Sequence, residues 1–203
     1  ASYLDDLTIG DPDPDVVAAD LRILSGAVST TGLRVNISKC EVYRQGVLSA
    51  EFASLPDEFD GFRSCGEEDL SLLGAAVHPR ACSGLLRHLN TRLSAMLSRL
   101  PLLSSQAAFF LLRHSLGVQR IAFALRASPA FVAPDALAEL DTTLLRCAET
   151  CLRVVLDEPS TEQLRLPEGA GGLGLRACSK HSATLLLRSP LRRWFWTRRY
   201  RSC

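Results

Sequence analysis

The sequence predicts an α+β protein, in which a partial antiparallel sheet with one helix precedes a mostly α-helical region. Three patterns predict this class. Two short extended segments flank an acidic pair near the start, a helical pattern and an alternating pattern follow, and from Pro79 onward apolar residues recur at helical spacing. The expected domains are residues 1–78, a helical region at 79–188, and a basic aromatic tail at 189–203.

The chain opens on a predicted hairpin. Residues 2–4 and 7–9 can each extend as a strand, with Asp5 and Asp6 between them. Favoured two-residue hairpin turns use Gly or Asn where φ is positive, so an acidic pair is an unusual choice. Adjacent carboxylates repel each other, and a divalent cation relieves that repulsion. The pattern therefore predicts a metal-holding hairpin; the alternative is an acidic tip in solvent.

A helix and a strand are predicted next. Asp13 can cap a helix whose first turn holds Pro14, and Gly32 is its expected end. Apolar and polar residues alternate over residues 33–38, which predicts a half-buried strand. A further short strand is expected near residues 47–52. The apolar face of the helix comprises Val16, Val17, Leu21, Leu24 and Val28.

The remaining chain is predicted to be helical after one more strand. Residues 70–77, Leu-Ser-Leu-Leu-Gly-Ala-Ala-Val, are mostly apolar and are predicted to form a buried strand. Helices are expected over residues 79–100, 105–127 and 134–155, and a last one over 175–187 after a glycine-rich loop. The regular apolar stripes of these helices indicate a packed core rather than a cofactor site.

Composition excludes several classes. A hydrophobic fraction of 47% and a charged fraction of 22% are ordinary for a globular protein. No apolar run is long enough for a transmembrane helix and no secretory signal is present, so no membrane partner is expected. The first residue is Ala, which suggests a piece of a longer chain. Seven cysteines at irregular spacing favour an intracellular protein, nuclear or cytoplasmic. A zinc site from Cys147, Cys151, Cys178 and His181 remains open.

Charge is distributed unevenly along the chain. Residues 1–70 carry 14 acidic and five basic side chains, whereas the rest carries 18 basic and eight acidic ones. A polyanion bound to the second part fits this division, although the arginines can equally serve to solvate helix faces. The tail at 191–201 mixes five arginines with four aromatic residues. That mixture suits stacking on bases and pairing with phosphates. The alternative is that the tail is a disordered or off-frame end.

Several motifs resemble those of reverse transcriptases. Tyr-Leu-Asp-Asp at residues 3–6 resembles the Tyr/Phe-x-Asp-Asp box of the palm hairpin. Residues 32–39 resemble the family segment Gly-Leu-x-x-Asn-x-x-Lys, with matches at Gly32, Leu33, Asn36 and Lys39. Leu73 and Gly74 resemble the Leu-Gly hairpin that grips the primer end. Shorter sequence segments further along the chain also resemble the reverse transcriptases of eukaryotic retroelements. These segments occur in the same order as in the family, so the resemblance covers most of residues 1–188.

The resemblance implies a catalytic role for three residues. In the family, the hairpin aspartates hold Mg²⁺ in a two-ion site, so Asp5 is the implied direct ligand and Asp6 supports the site. Lys39 is implied to lie near the phosphates of the incoming nucleotide. A lysine there can neutralise charge and donate a proton.

The resemblance also implies partners. Tyr3 and Leu4 are expected beside the primer end and the incoming deoxynucleoside triphosphate, and Leu73 and Gly74 beside the primer. The implied partners are therefore an RNA template, a DNA primer and the deoxynucleoside triphosphate.

The family's further palm aspartate and its fingers lie upstream of the two-aspartate hairpin, and these 203 residues do not contain them. We therefore expect a fragment of an RNA-directed DNA polymerase that is inactive in isolation. Two alternatives remain open: a non-catalytic nucleic-acid-binding remnant, and a helical interaction module with an incidental acidic hairpin.

Overall fold

The computed structural model describes residues 2–3, 6–44, 55–180 and 182, with only the backbone described for residues 2, 3 and 6. The chain divides into two compact units, Ala1–Glu67 and Glu68–Cys203. The predicted α+β class with a mostly helical content is confirmed. The boundary between the units follows Glu67, so residues 68–78 fall within the second unit.

The first unit contains two short ladders and one helix. Strand β1 (Ser2–Tyr3) pairs antiparallel with β2 (Asp6–Leu7), and β3 (Glu41–Val42) pairs parallel with β4 (Arg63–Ser64). Helix α1 (Pro14–Thr30) begins where predicted, because the Asp13 carboxylate accepts a hydrogen bond from the Asp15 N–H at 2.9 Å.

The prediction of a strand over residues 33–38 is wrong. Residues 33–36 have no regular structure, and Ile37–Lys39 forms a 3₁₀ turn. The backbone carbonyl of Asn36 accepts from the Lys39 N–H at 3.0 Å, and its side chain accepts from the Ser38 hydroxyl at 2.8 Å. These local hydrogen bonds replace a ladder. The strand expected near residues 47–52 lies outside the described residues.

The second unit opens with a hairpin rather than a single strand. Strand β5 (Ser71–Leu72) pairs antiparallel with β6 (Ala75–Ala76), so the prediction of one buried strand over residues 70–77 is wrong. Both residues of β6 are buried, whereas both residues of β5 are exposed. A mostly apolar segment conceals such a reversal, because Gly74 alone marks the turn in the sequence.

In the described part of the chain, five helices lie between the hairpin and a last helical segment that begins at residue 178, and their apolar faces form the core. The longest two, α2 and α5, pack against each other, α3 packs against α5, and α4 packs against β6. Fully buried leucines dominate this core, and each contributes about 1.5–3 kcal/mol by leaving water. The helices are α2 (Pro79–Leu97), α3 (Ser105–Leu111), α4 (Val118–Ala127), α5 (Pro134–Leu152) and α6 (Glu158–Arg165).

Two helix predictions need correction. The single helix expected over 105–127 is divided by a π-helical turn at Leu112–Leu116, after which the backbone leaves the helical region at Gly117. The last helix begins at residue 178 rather than 175, and residues 183–203 lie outside the described part. Helix α6 was not predicted. Within the described ranges, none of the helices combines the length and the hydropathy needed to cross a bilayer.

Candidate nucleic-acid interface

The first predicted site is the β1–β2 hairpin. Tyr3 pairs with Asp6, and only Leu4 and Asp5 separate these paired positions in the sequence. Asp6 therefore belongs to β2, whereas the sequence predicted it between the strands. Leu4 and Asp5 themselves, and the side chains of Tyr3 and Asp6, lie outside the described residues.

The magnesium site at Asp5 and Asp6 therefore stays a prediction. The side chains that the structure does describe include no group of three or more histidine, cysteine or acidic residues able to hold a metal ion. Lys39, the third predicted catalytic residue, ends the 3₁₀ turn in the same unit. Its side chain is exposed and forms no ion pair with another described residue, so it is accessible to an anion.

The second predicted site is the turn between β5 and β6. Leu73 has φ of +51° and Gly74 has φ of +79°, the two positive values that a type I′ hairpin turn requires. Glycine adopts this conformation readily, whereas the Cβ of a leucine makes it unfavourable by about 1–2 kcal/mol. Leu72 and Leu73 are also 42% and 46% exposed. The turn thus combines a strained backbone with exposed apolar side chains, a combination that is common at functional positions.

A buried hydrogen bond holds the base of this hairpin. The N–H of Ala76 donates to the hydroxyl oxygen of Ser128 at 2.9 Å, and both residues are buried. Ser128 is the residue that ends α4. Sequence reasoning missed Ser128, because no local pattern indicates a partner 52 residues away. The hairpin therefore has a fixed base and an exposed tip.

A basic stretch is the second feature that sequence reasoning missed. Residues 70–134 contain no aspartate or glutamate, a signal that counting charges by segment would have found. The stretch runs from the β5–β6 hairpin to the first residue of α5, Pro134. It contains seven arginines: Arg80, Arg87, Arg92, Arg99, Arg113, Arg120 and Arg126.

Two of these arginines are neutralised by carboxylates from later in the chain. Arg87 Nε lies 3.5 Å from a carboxylate oxygen of Glu139, which belongs to α5. The Arg113 guanidinium pairs with Glu168, and this hydrogen bond and charge lower the pKa of the Glu168 carboxyl. These two arginines therefore have structural partners.

Four arginines of the stretch have no such partner. All four are exposed, and none lies within 4.0 Å of a carboxylate belonging to the part of the chain that the structure describes. An unpaired guanidinium can bind phosphate oxygens through two parallel hydrogen bonds. The four are Arg92 on α2, Arg99 just after the end of α2, and Arg120 and Arg126 on α4.

Three cysteines of the open zinc hypothesis, Cys147, Cys151 and Cys178, are buried in the helical unit. The Sγ atoms of Cys147 and Cys151 lie 3.9 Å apart on α5, and burial raises the pKa of Cys147 to about 12. Burial likewise raises the pKa of the Cys151 and Cys178 thiols. Without a bound metal, a raised pKa keeps these groups protonated as thiols. His181, the fourth candidate ligand, lies outside the described residues.

The helical unit thus has a hairpin with an exposed tip, next to the helices α2 and α4, which carry unpaired arginines. Comparison with known proteins adds nothing to it, since the chain matches no family model, no curated protein and no solved structure.

Proposed function

We propose that the chain is the C-terminal palm and thumb-like part of a reverse transcriptase of a eukaryotic retroelement. The reaction of such an enzyme is nucleotidyl transfer onto a primer 3′ end, directed by an RNA template. The observation that carries the proposal is the antiparallel pairing of Tyr3 with Asp6, because it places the first and last residues of the Tyr-Leu-Asp-Asp sequence opposite each other on adjacent strands. This piece alone is inactive, because the further palm aspartate and the fingers lie upstream in the family.

The acidic pair has the chemistry that Mg²⁺ requires, since this ion prefers carboxylate oxygens. Asp5 and Asp6 are the residues that would hold it. When bound, the metal polarises phosphate oxygens and activates the primer hydroxyl. The exposed ammonium of Lys39 neutralises charge on the phosphates of the nucleotide.

Exposed apolar side chains in the first unit support the assignment to half of a palm. Ile23 on α1 is 71% exposed, Leu33 is 65% exposed and Ile37 is 51% exposed. Apolar surface that such side chains expose is often covered by a partner in the assembled protein. In the proposed enzyme, the upstream part of the palm covers it.

The helical unit supports the assignment of nucleic acid as the partner. The β5–β6 tip exposes Leu72 and Leu73 on a base fixed by Ser128, which suits contact with a primer end. The unpaired arginines suit contact with backbone phosphates, a mode of binding that carries little sequence preference.

Binding to a recessed primer end tests the proposal. Fluorescence anisotropy compares the 203-residue chain on a primer–template with a recessed 3′ end and on a blunt duplex of the same sequence. We expect tighter binding to the recessed end, and we expect Leu73→Gly to remove that preference. Glycine suits the positive φ at residue 73, so the variant should keep the turn.

The matched control is Leu102→Gly, which makes the same change at a leucine that is 85% exposed elsewhere in the unit. This control should keep the preference for the recessed end. Equal binding of the two duplexes by the unsubstituted chain, or an equal effect of the two variants, would overturn the proposal.

The basic stretch favours a second candidate, a nucleic-acid-binding remnant without catalytic function. This candidate does not depend on the acidic pair, so Asp5→Asn should leave its binding unchanged. Bound Mn²⁺, detected by its paramagnetic signal, separates the two. The polymerase fragment should lose Mn²⁺ binding in Asp5→Asn but not in Asp135→Asn, a surface control on α5, whereas the remnant should bind no Mn²⁺ at this pair.

A further inference from the structure

One face of α4 carries three exposed side chains in a row. Arg120, Phe123 and Arg126 follow each other at intervals of three residues, and Phe123 is 56% exposed. Residues three apart lie on the same side of a helix and about 4.5 Å apart along its axis. Ile121 and Leu125, on the opposite side, are buried in the core. We call the three exposed residues the α4 stripe.

The α4 stripe is positively charged without local compensation. Helix α4 contains no acidic residue, and it lies inside the acid-free stretch 70–134. Neither Arg120 nor Arg126 forms an ion pair with another residue that the structure describes. Arg113, which precedes α4, shows the contrast because Glu168 neutralises it.

A ligand of the α4 stripe must satisfy two groups of side chains. The two guanidinium groups favour anionic groups on either side of Phe123, and the exposed ring of Phe123 favours an apolar or aromatic surface. Duplex nucleic acid offers the phosphates but keeps the faces of its bases stacked inside. An acidic peptide offers the charges but has no regular supply of flat rings. A single strand offers both, since each phosphate is followed by an open base.

We propose that the α4 stripe binds single-stranded nucleic acid, with Phe123 stacked on a base and with Arg120 and Arg126 on the flanking phosphates. The stripe ends two residues before Ser128, which holds the β5–β6 hairpin. The identification of this strand as template or primer rests on the proposed function. The binding of a single strand by the α4 stripe does not.

The test compares two labelled strands on the full 203-residue chain, an oligodeoxythymidine of about 20 nucleotides and an abasic strand of equal length. Phe123→Ala should weaken binding of oligodeoxythymidine by roughly 5- to 100-fold, and binding of the abasic strand by less than about twofold. Phe110→Ala is the matched control, because Phe110 is 61% exposed on α3 but has a different neighbour, His114. It should change neither affinity by more than about twofold.

Salt dependence tests the two arginines. Arg120→Gln and Arg126→Gln should each reduce the slope of log K against log salt by about 0.7 on both strands. Arg146→Gln, at an exposed position of α5, is the charge-matched control and should leave the slope unchanged.

Three results would overturn the inference. The first is that Phe123→Ala weakens binding of the base-bearing and the abasic strand equally, and the second is that Phe123→Ala and Phe110→Ala change the affinities equally. The third is that blunt duplex binds more tightly than the single strand and that Phe123→Ala does not change this. If the expected loss occurs while Leu73→Gly leaves the preference for recessed ends unchanged, the α4 stripe stands and the proposed polymerase function fails.

Discussion

The hydroxyl oxygen of Ser128 accepts a hydrogen bond of 2.9 Å from the backbone N–H of Ala76, and both residues are buried. This hydrogen bond joins the β5–β6 hairpin to the end of α4. A buried donor without a partner costs free energy, so the contact fixes where the hairpin lies on the helices. The candidate primer-binding tip is therefore positioned by a residue that sequence patterns do not reveal.

Removing this hydroxyl should destabilise the protein. Ser128→Ala leaves the Ala76 N–H buried and unpaired, and we expect the free energy of unfolding to fall by about 1–3 kcal/mol in urea titrations. Ser98→Ala is the control, because the Ser98 hydroxyl is exposed and bonds only within its own helix end. That control should change stability by less than about 0.5 kcal/mol. Similar losses in the two variants would contradict the role given to Ser128.

Alanine at Gly74 tests the left-handed turn. A Cβ at this position meets no heavy atom within 4 Å, so its effect arises only from the φ of +79°. We expect Gly74→Ala to lower the free energy of unfolding by about 1–2 kcal/mol. Gly84→Ala, in the middle of α2 and equally free of contacts, should instead raise it by up to about 1 kcal/mol. Effects of the same sign would show that the turn at residues 73 and 74 is not maintained.

Gly117 tests the π-helical turn before α4. A Cβ here would lie 2.6 Å from the backbone oxygen of Leu112, and backbone cannot move aside as a flexible side chain does. Gly117→Ala should therefore cost about 1–3 kcal/mol by thermal or urea unfolding. Stability equal to that of the unsubstituted chain would mean that the close approach of residues 112 and 117 does not exist.

The buried thiols predict alkaline sensitivity. Burial raises the pKa of Cys82 and of Cys147 from 9.0 to about 12. The unfolded chain releases these protons at lower pH than the folded chain does, so the stabilising contribution is complete below pH 9 and is lost as the pH rises towards 12. Each thiol contributes at most about 1.4 kcal/mol per pH unit in that window.

Urea unfolding at a series of pH values measures this loss. Cys147→Ala should reduce the slope of stability against pH, whereas Cys40→Ala, at a less buried position, should reduce it less. A stability that is constant through this window would be inconsistent with protonated, buried thiols.

Primer extension tests the expectation of inactivity. The 203-residue chain should incorporate no deoxynucleotide with Mg²⁺, because the upstream aspartate and fingers of the family are not in it. Incorporation that depends on Mg²⁺ and is lost in Asp5→Asn would contradict that expectation, and would show that the acidic pair suffices for catalysis.

The sequence by itself determined the elements that local chemistry specifies. Asp13 and Pro14 begin α1, Pro79 begins α2 and Pro134 begins α5, each as predicted. Caps and prolines act within a few residues, and the helical period is visible in the chain itself. The proposed catalytic motif was likewise found from sequence alone.

Only the tertiary structure decided the features that depend on distant partners. Alternation over residues 33–38 indicated a strand but supplied no partner for its hydrogen bonds, and local bonds at Asn36 formed instead. The partner of Ala76 also depends on the fold. Whether an arginine is free is decided in the same way, because Glu139 reaches Arg87 while no described carboxylate reaches Arg120. Spacing along a chain does not fix distances in space, so a binding surface emerges only after the helices have packed.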